Sequence, residues 1–513
     1  MAREIYSRLC LSGTLITESP LHVGGYGDDV DTDLPLARDG AGQLYIPGTS
    51  LAGAFRSFAE MVLGEATINK LWGYQDKGQG NASFVLVEDA TVENADPLVI
   101  EIRDHVGIDR EYGCAAENIK YDRAILPRGT RLSFKLAVEV ADPHNDRELA
   151  LGMIAALKEA LEHGKIRLGA AKTRGLGRIK LESASVTEQI LGTREGILAV
   201  LEQADPVEVD PGEIERARLA CTRQRTTRLK VEIHWEPVGP MMVKAGLEGI
   251  AADVFPLVSH IEGEIAPVLP GSSIKGTFRA HAERIVRTLR QDLKPSWLEA
   301  SSRQRFLDAL EVELINELFG RRGEKAAADK NRSWLPGLGA LSVADCYAKK
   351  RVDSEQWRAI ETATDDFELR RALDKAELQT WSHDYHVAID RWLGSAAEGF
   401  LYTVLEPHRT EWEPIQLEIN LLRIPDDLRI PAIVLLLLIL RDLARSQLPL
   451  GYATHRGMGT VKVNTVLFGG DDLDHPWDQW RNIRLENGEL RNIPPSWNEA
   501  WKQWIERNQE NST

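Results

Sequence analysis

Two aspartates, each shortly before a proline and an apolar residue, are the carboxylates in this sequence best placed to do chemistry. Asp33 opens Asp33-Leu34-Pro35-Leu36, and Asp253 opens Asp253-Val254-Phe255-Pro256-Leu257. The loops before them, 20–33 and 240–253, align without a gap but agree at few positions, so agreement at this carboxylate is informative. A carboxylate on a loop can act as a general base or as a ligand for Mg2+ or another divalent cation. One such group suffices for RNA cleavage, because RNA carries its own nucleophile. The 2′-hydroxyl must be aligned with the adjacent phosphate and the developing charge stabilised. The plain alternative is an aspartate that only forms a turn beside glycine and proline. Asp29 and Asp31 have no acidic counterparts in the second loop, while Asp28 falls on Glu248; all three read as solvated, and they lack the spaced ligands and terminal glutamate of a calcium loop. His22, in the first loop where Met242 stands in the second, is a candidate surface contact to RNA.

Basic residues recur beside two further motifs. Lys172 and Arg174 sit among Gly169, Gly175 and Gly177; His455 and Arg456 sit in the matching turn, 451–461. Glycines of this kind allow positive φ and close approach to a ligand, and with the added charge a polyanion is the natural guest. The competing reading is a tight helix-to-strand connection with solvated cations. Pro47-Gly48-Thr49-Ser50 and Pro270-Gly271-Ser272-Ser273 each read as a helix start with a hydroxyl N-cap, Ser50 and Ser273 among the candidates. Free amides there would form an anion site, with Arg56, Lys275 and Arg279 within three turns. The Gly-x-x-x-x-Gly-Lys-Ser/Thr pattern of a nucleotide-binding loop is absent. Spacing reveals no Ser-His-Asp, Cys-His or His-Glu-x-x-His set.

These motifs fall into an internal repeat. Residues 46–56 return at 269–279, His105-Val106-Gly107-Ile108-Asp109-Arg110 returns at 386–391, and 169–179 returns at 451–461. The order is the same, and the displacement rises from 223 to 281 and then 282, so the second copy carries extra residues between Arg279 and His386. Their apolar residues fall at helical spacing, which predicts a helical insertion over about 284–380. Each copy reads as an opening strand (6–15; 229–235), a helix after the Pro-Gly motif, a second helix (147–163; 431–446) and a closing strand (177–181; 459–463). Strands interleaved with two helices indicate an α+β fold with a split βαβ ferredoxin-like core. The division expected is 1–190, a linker over 191–226, a second module over 227–466, and a tail, 467–513, holding five tryptophans, which docks on its own module or on a partner.

In the order and spacing of these residues the chain resembles the RAMP superfamily, and within it the Cas-seven-type backbone proteins of type III CRISPR effectors. The carrying features are His22-Val23-Gly24-Gly25, the Asp33-Leu34-Pro35-Leu36 element, Tyr45 to Arg56, and the late Arg174-Gly175-Leu176-Gly177 turn. The resemblance covers both copies and omits linker, insertion and tail. It implies RRM-like modules that stack along a guide RNA, with thumb hairpins, placed at 108–125 and 389–405, that splay the guide–target duplex. It implies that Asp33 is the target-cleaving residue and extends that role to Asp253, where one extra residue precedes Pro256. A fused pair resembles the type III-D arrangement. The implied partners are guide (CRISPR) RNA, target RNA, neighbouring backbone subunits, the large polymerase-like subunit and the small helical subunit, with no membrane.

Composition bounds these readings. A chain of 513 residues exceeds one ordinary core, so two domains are expected. The four cysteines form no Cys-x-x-Cys pair, which fits the reducing cytoplasm and neither a disulfide framework nor a zinc ribbon. The longest apolar run, 432–440, is far short of the roughly 20 residues needed to span a bilayer. A net charge of −16 runs against free-standing nucleic-acid binders, which are usually basic, so contact with RNA requires a locally basic groove. Three functions stay open: a guide-RNA scaffold that also cuts bound target with a divalent cation, the same scaffold without cutting, and a guide-processing endoribonuclease relying on His22 or His455.

Overall fold

A computed structural model describes residues 4–25, 32–76, 78–93, 99–110, 113–144, 146–220, 227–246, 249–290, 312–321, 337–471 and 473–510. The acidic loop residues Asp28, Asp29 and Asp31 lie outside them. The chain forms two compact units. The first comprises Met1–Ile102, Arg123–Lys172 and Leu176–Arg225; the second comprises Arg103–Asp122, Thr173–Gly175 and Thr226–Thr513.

In the first unit the opening strand, Ser7–Thr17, buries Leu9, Leu11 and Leu15 at alternate positions. A register shift follows Ser12, where Gly13 lies so close to Glu182 that a Cβ would strike its carbonyl. The helix Gly48–Leu63 turns Leu51, Phe55, Ala59 and Val62 inward, and Phe55 meets Phe134 edge-on with ring centroids 5.6 Å apart. Strands Val85–Val87 and Arg131–Val140, the helix Asp146–Glu162 and the strand Ile179–Ile190 complete the module. Taking these four strands in sequence, their order in the sheet is fourth, first, third, second, the antiparallel ferredoxin-like arrangement.

The second unit repeats this with Arg228–Pro237, Leu341–Ala344, Ile415–Asn420 and Val461–Asp471, again ordered fourth, first, third, second. Its helices are Gly271–Arg290 and Asp426–Ala444. The fold class is therefore α+β with two tandem ferredoxin-like modules. Arg174–Gly175 adds to the edge of the second sheet, parallel to Leu341–Ala344.

Several boundaries differ from the sequence reading. The helix expected at 431–446 starts at Asp426 and contains Pro431, whose missing N–H falls in its second turn and forfeits one bond. The closing strands run on to Ile190 and Asp471, because their outer halves pair with the whole opening strand. The linker is partly built into the first unit: Val207–Glu208 pairs with Thr187 and Glu188, and Arg147 on the second helix bridges Glu188 and Glu213. The insertion is not helical throughout. It contains the strand Leu341–Ala344, and its described helices Ser354–Glu361 and Asp366–Lys375 enclose a small separate core around Trp357 and Trp381. The hairpins are Glu101–Ile108 with Ala115–Ile125, and Ser382–Ile389 with Ala396–Glu406, so each begins seven residues before its expected start. The tail docks on its own unit, with Trp477, Trp480, Trp497 and Trp504 buried in the second core. Among the described residues no helix is long and apolar enough to cross a membrane.

Candidate nucleic-acid site

The loop after the opening strand, the segment opened by Asp33 or Asp253 and the glycine-rich turn meet in each copy. In the first, Ala170 N–H donates to the His22 carbonyl at 2.9 Å, Gly177 N–H to Pro20 at 2.8 Å, and Ala124 N–H to Leu34 at 3.1 Å. In the second, Tyr452 N–H donates to Met242 at 2.7 Å, Gly459 N–H to Pro240 at 3.1 Å, and Leu405 N–H to Val254 at 2.9 Å. The glycines do take positive φ: 69° at Gly169 and 87° at Gly177. What they approach is the chain itself, since a Cβ would strike the His22 carbonyl or the Leu168 carbonyl.

Asp33 and Asp253 are both exposed. Asp253 is held by the second hairpin: its carboxylate accepts from Thr403 N at 2.7 Å and from Thr403 Oγ1 at 2.9 Å. At the position matching Thr403, displaced by 281, the first copy has Asp122, which offers no hydroxyl. His22, matched in sequence to Met242, is only 4% exposed, and its Nδ1 donates to the Ala124 carbonyl at 2.7 Å. Burial pushes its imidazole below the ordinary 6.5 and nearby Arg123 adds to this, outweighing the Ala124 bond. Neutral His22 is thus a brace between loop and hairpin, not the surface contact expected.

The helix starts also differ from expectation. The N-cap of Gly48–Leu63 is Pro47, with no side-chain cap from a hydroxyl. Gly48 N–H instead donates to Asp89 Oδ1 at 2.6 Å, and Gly271 N–H to Asp345 Oδ1 at 2.8 Å. Each helix start receives a carboxylate of the chain where an external anion was expected. Ser50 is exposed and Ser273 half-buried, both with amides bonded to the proline carbonyl three residues back. Lys275 is 5% exposed and donates to Leu341 O at 2.7 Å and Thr173 Oγ1 at 3.0 Å, so it serves packing. Arg56 donates to Asn69, while Arg279 bonds Glu283 and the Gly320 carbonyl.

The late turns keep more of their charge at the surface. His455 and Arg456 are exposed; Lys172 and Arg174 are half-buried. Arg456 donates to the hydroxyls of Tyr402 and Tyr452 and lies over the Tyr452 ring, 5.3 Å from its centroid. Tyr402 in turn stacks on His386 at 5.3 Å, and the first hairpin carries the same pair, His105 on Tyr121 at 5.0 Å. Sequence reasoning missed this pair and the capping aspartates. The signals were present: Tyr121 and Tyr402 share the displacement of 281, and Val87-Glu88-Asp89 matches Val343-Ala344-Asp345.

Comparison with known proteins agrees with the duplication. The family model of the RAMP superfamily matches residues 14–180 and 264–462. A protein named CRISPR system Cms endoribonuclease Csm3, from Methanocaldococcus jannaschii, is 27% identical over 197 residues, covering 34% of this chain and 78% of the relative.

Proposed function

This chain belongs to the RAMP superfamily, and on that premise we propose that it is a guide-RNA-binding backbone subunit of a type III CRISPR effector that cuts bound target RNA at Asp33. The supporting observation is the convergence, in each copy, of the segment opened by Asp33 or Asp253 and the glycine-rich turn on the loop after the opening strand. The resemblance to a protein named as a CRISPR endoribonuclease supports the same reading. In this reading guide RNA runs along both modules, and neighbouring backbone subunits, the large polymerase-like subunit and the small helical subunit complete the assembly. Shared grooves between subunits let a chain of net charge −16 meet RNA through a few cations such as Lys172, Arg174, His455 and Arg456. At the scissile step the target's 2′-hydroxyl attacks the adjacent phosphorus and expels the 5′-oxygen, leaving a 2′,3′-cyclic phosphate and a 5′-hydroxyl. Asp33 takes the hydroxyl proton or holds Mg2+ or a similar divalent cation beside the phosphate.

Asp253 is engaged by Thr403, which favours a structural role for the second aspartate. The test is the reconstituted complex with guide and labelled target, carrying D33A, D253A or both. Loss of cutting by at least a hundredfold in D33A, with guide binding intact and D253A still cutting, is the expected outcome. Unchanged cutting by the double variant ends the catalytic assignment and leaves a scaffold. Site-specific cutting of precursor repeat RNA by the purified chain alone would favour guide processing instead.

A further inference from the structure

The second hairpin carries a cluster of metal-ligating side chains on the face opposite Asp253. In its antiparallel ladder Ser382 pairs with Glu406, Asp384 with Val404, and His386 with Tyr402. These side chains share one face, while Thr403, which holds Asp253, projects from the other. Asp384, Glu406 and His408 each bring one ligand atom within 4.8 Å of the others. Asp384 and Glu406 also line a cavity of about 380 Å³, together with His386, Tyr402 and Arg456.

Glu406 makes the case for a cation. Its side chain is 8% exposed, with His386 Nε2 at 3.2 Å and His408 Nε2 at 3.6 Å. Among the described residues no lysine or arginine is paired with it. A carboxylate buried this far is costly to hold unless it is well paired, and a bound cation would supply that pairing. The fold does not ask for the cluster. The first copy builds the same kind of hairpin, with the same His–Tyr stack, yet has Arg103, Ile125 and Pro127 at the three matching positions. Towards the tips, Asp109 N–H donates to the Cys114 carbonyl and Asp390 N–H to that of Ser395, each at 2.8 Å. What the second copy has gained is a donor set of two carboxylates and one imidazole.

We propose that Asp384, Glu406 and His408 form a binding site for one divalent transition-series cation, Mn2+ or Zn2+, with its open coordination positions toward the cavity. An imidazole in the set favours these ions over Mg2+, which takes oxygen donors and retains its waters. This goes beyond the RNA reading, since binding to the purified chain is read without RNA and a failure here leaves the target-cutting assay untouched.

The full chain, stripped with chelator, is titrated with MnCl2 and free Mn2+ is followed by its paramagnetic resonance signal. One saturable site per chain is expected, with E406Q and H408A each weakening it at least tenfold while far-ultraviolet circular dichroism stays unchanged. Zn2+ is expected to displace the bound Mn2+, and equimolar Mg2+ is not. Absence of a saturable site, or wild-type affinity in a folded E406Q or H408A, overturns the proposal; displacement by equimolar Mg2+ overturns the ion class. Should E406Q fail to fold, H408A decides, because His408 is only partly buried.

Discussion

Asp253 spends its carboxylate on two hydrogen bonds from Thr403, and that commitment is measurable apart from any activity. Hydrogen bonds of this kind contribute about 1 kcal/mol net. T403V and D253A are each expected to lower the denaturant stability of the second unit by about that amount. The double variant should cost little more than D253A alone, because T403V removes only the hydroxyl bond, which D253A removes as well, and leaves the Thr403 N–H in place. Strictly additive losses would mean that the two residues act separately. His22 gives a pH test. Its folded-state pKa lies below the ordinary 6.5, so between these values the unfolded chain binds more protons than the folded one. Stability is therefore complete above 6.5 and falls as pH drops through the window toward the folded value. H22N should flatten this dependence in urea midpoints measured from pH 7.5 to 5. An unchanged pH profile would place the effect elsewhere. The sequence marked His22 and both aspartates as special. It could not separate a brace from a contact, because burial of an imidazole depends on Ala124, about a hundred residues away.

The hairpins show where sequence patterns stop being informative. A half-buried strand announces its ends by alternation, but Ser382–Ile389 and the outer half of Ala396–Glu406 leave both faces largely open. The His-Val-x-Ile-Asp-Arg repeat therefore located each hairpin and misplaced its start. The ferredoxin-like core was legible because Leu9, Leu11 and Leu15, like Leu229, Val231 and Ile233, alternate cleanly. The inner strand Leu341–Ala344 was hidden by its four-residue length and the charged stretches around it. At the tip of the second hairpin Asp390 accepts from Trp392 N at 2.7 Å and Leu393 N at 3.0 Å, presenting an indole that is 94% exposed. A fully solvated indole contributes little to folding, whereas stacking on a base is worth about 1–3 kcal/mol. W392A should leave thermal stability within about 1 °C and weaken binding of a guide–target duplex about tenfold, read by electrophoretic mobility shift. Unaltered RNA affinity would remove the tip from the contact surface.

At the scale of the whole chain, the two units are interleaved in sequence, since the first copy's hairpin, 103–122, and its turn, 173–175, are counted in the second unit. Within that unit Arg103 donates to Asp345 at 2.5 Å with both side chains nearly inaccessible, at 4% and 1%. Arg103 also donates to Ser259, and Arg110 to Glu283 at 2.8 Å. Asp345 carries a double duty, because its other oxygen takes the Gly271 amide that starts a 20-residue helix. A protease site placed between residues 220 and 227, once cut, should therefore not release the N-terminal piece, which is expected to co-elute with the C-terminal piece in size-exclusion chromatography. Removing Arg103 leaves a buried, unpaired Asp345, a change that typically costs about 3–5 kcal/mol. R103A should thus destabilise the intact chain and let the cut pieces separate. D345N, which keeps an oxygen for the Gly271 amide but leaves Arg103 buried without a counter-charge, should destabilise the chain to an extent comparable with R103A. Separation of the wild-type pieces on cutting would show that the hairpin's contacts are too weak to hold the duplicated halves together.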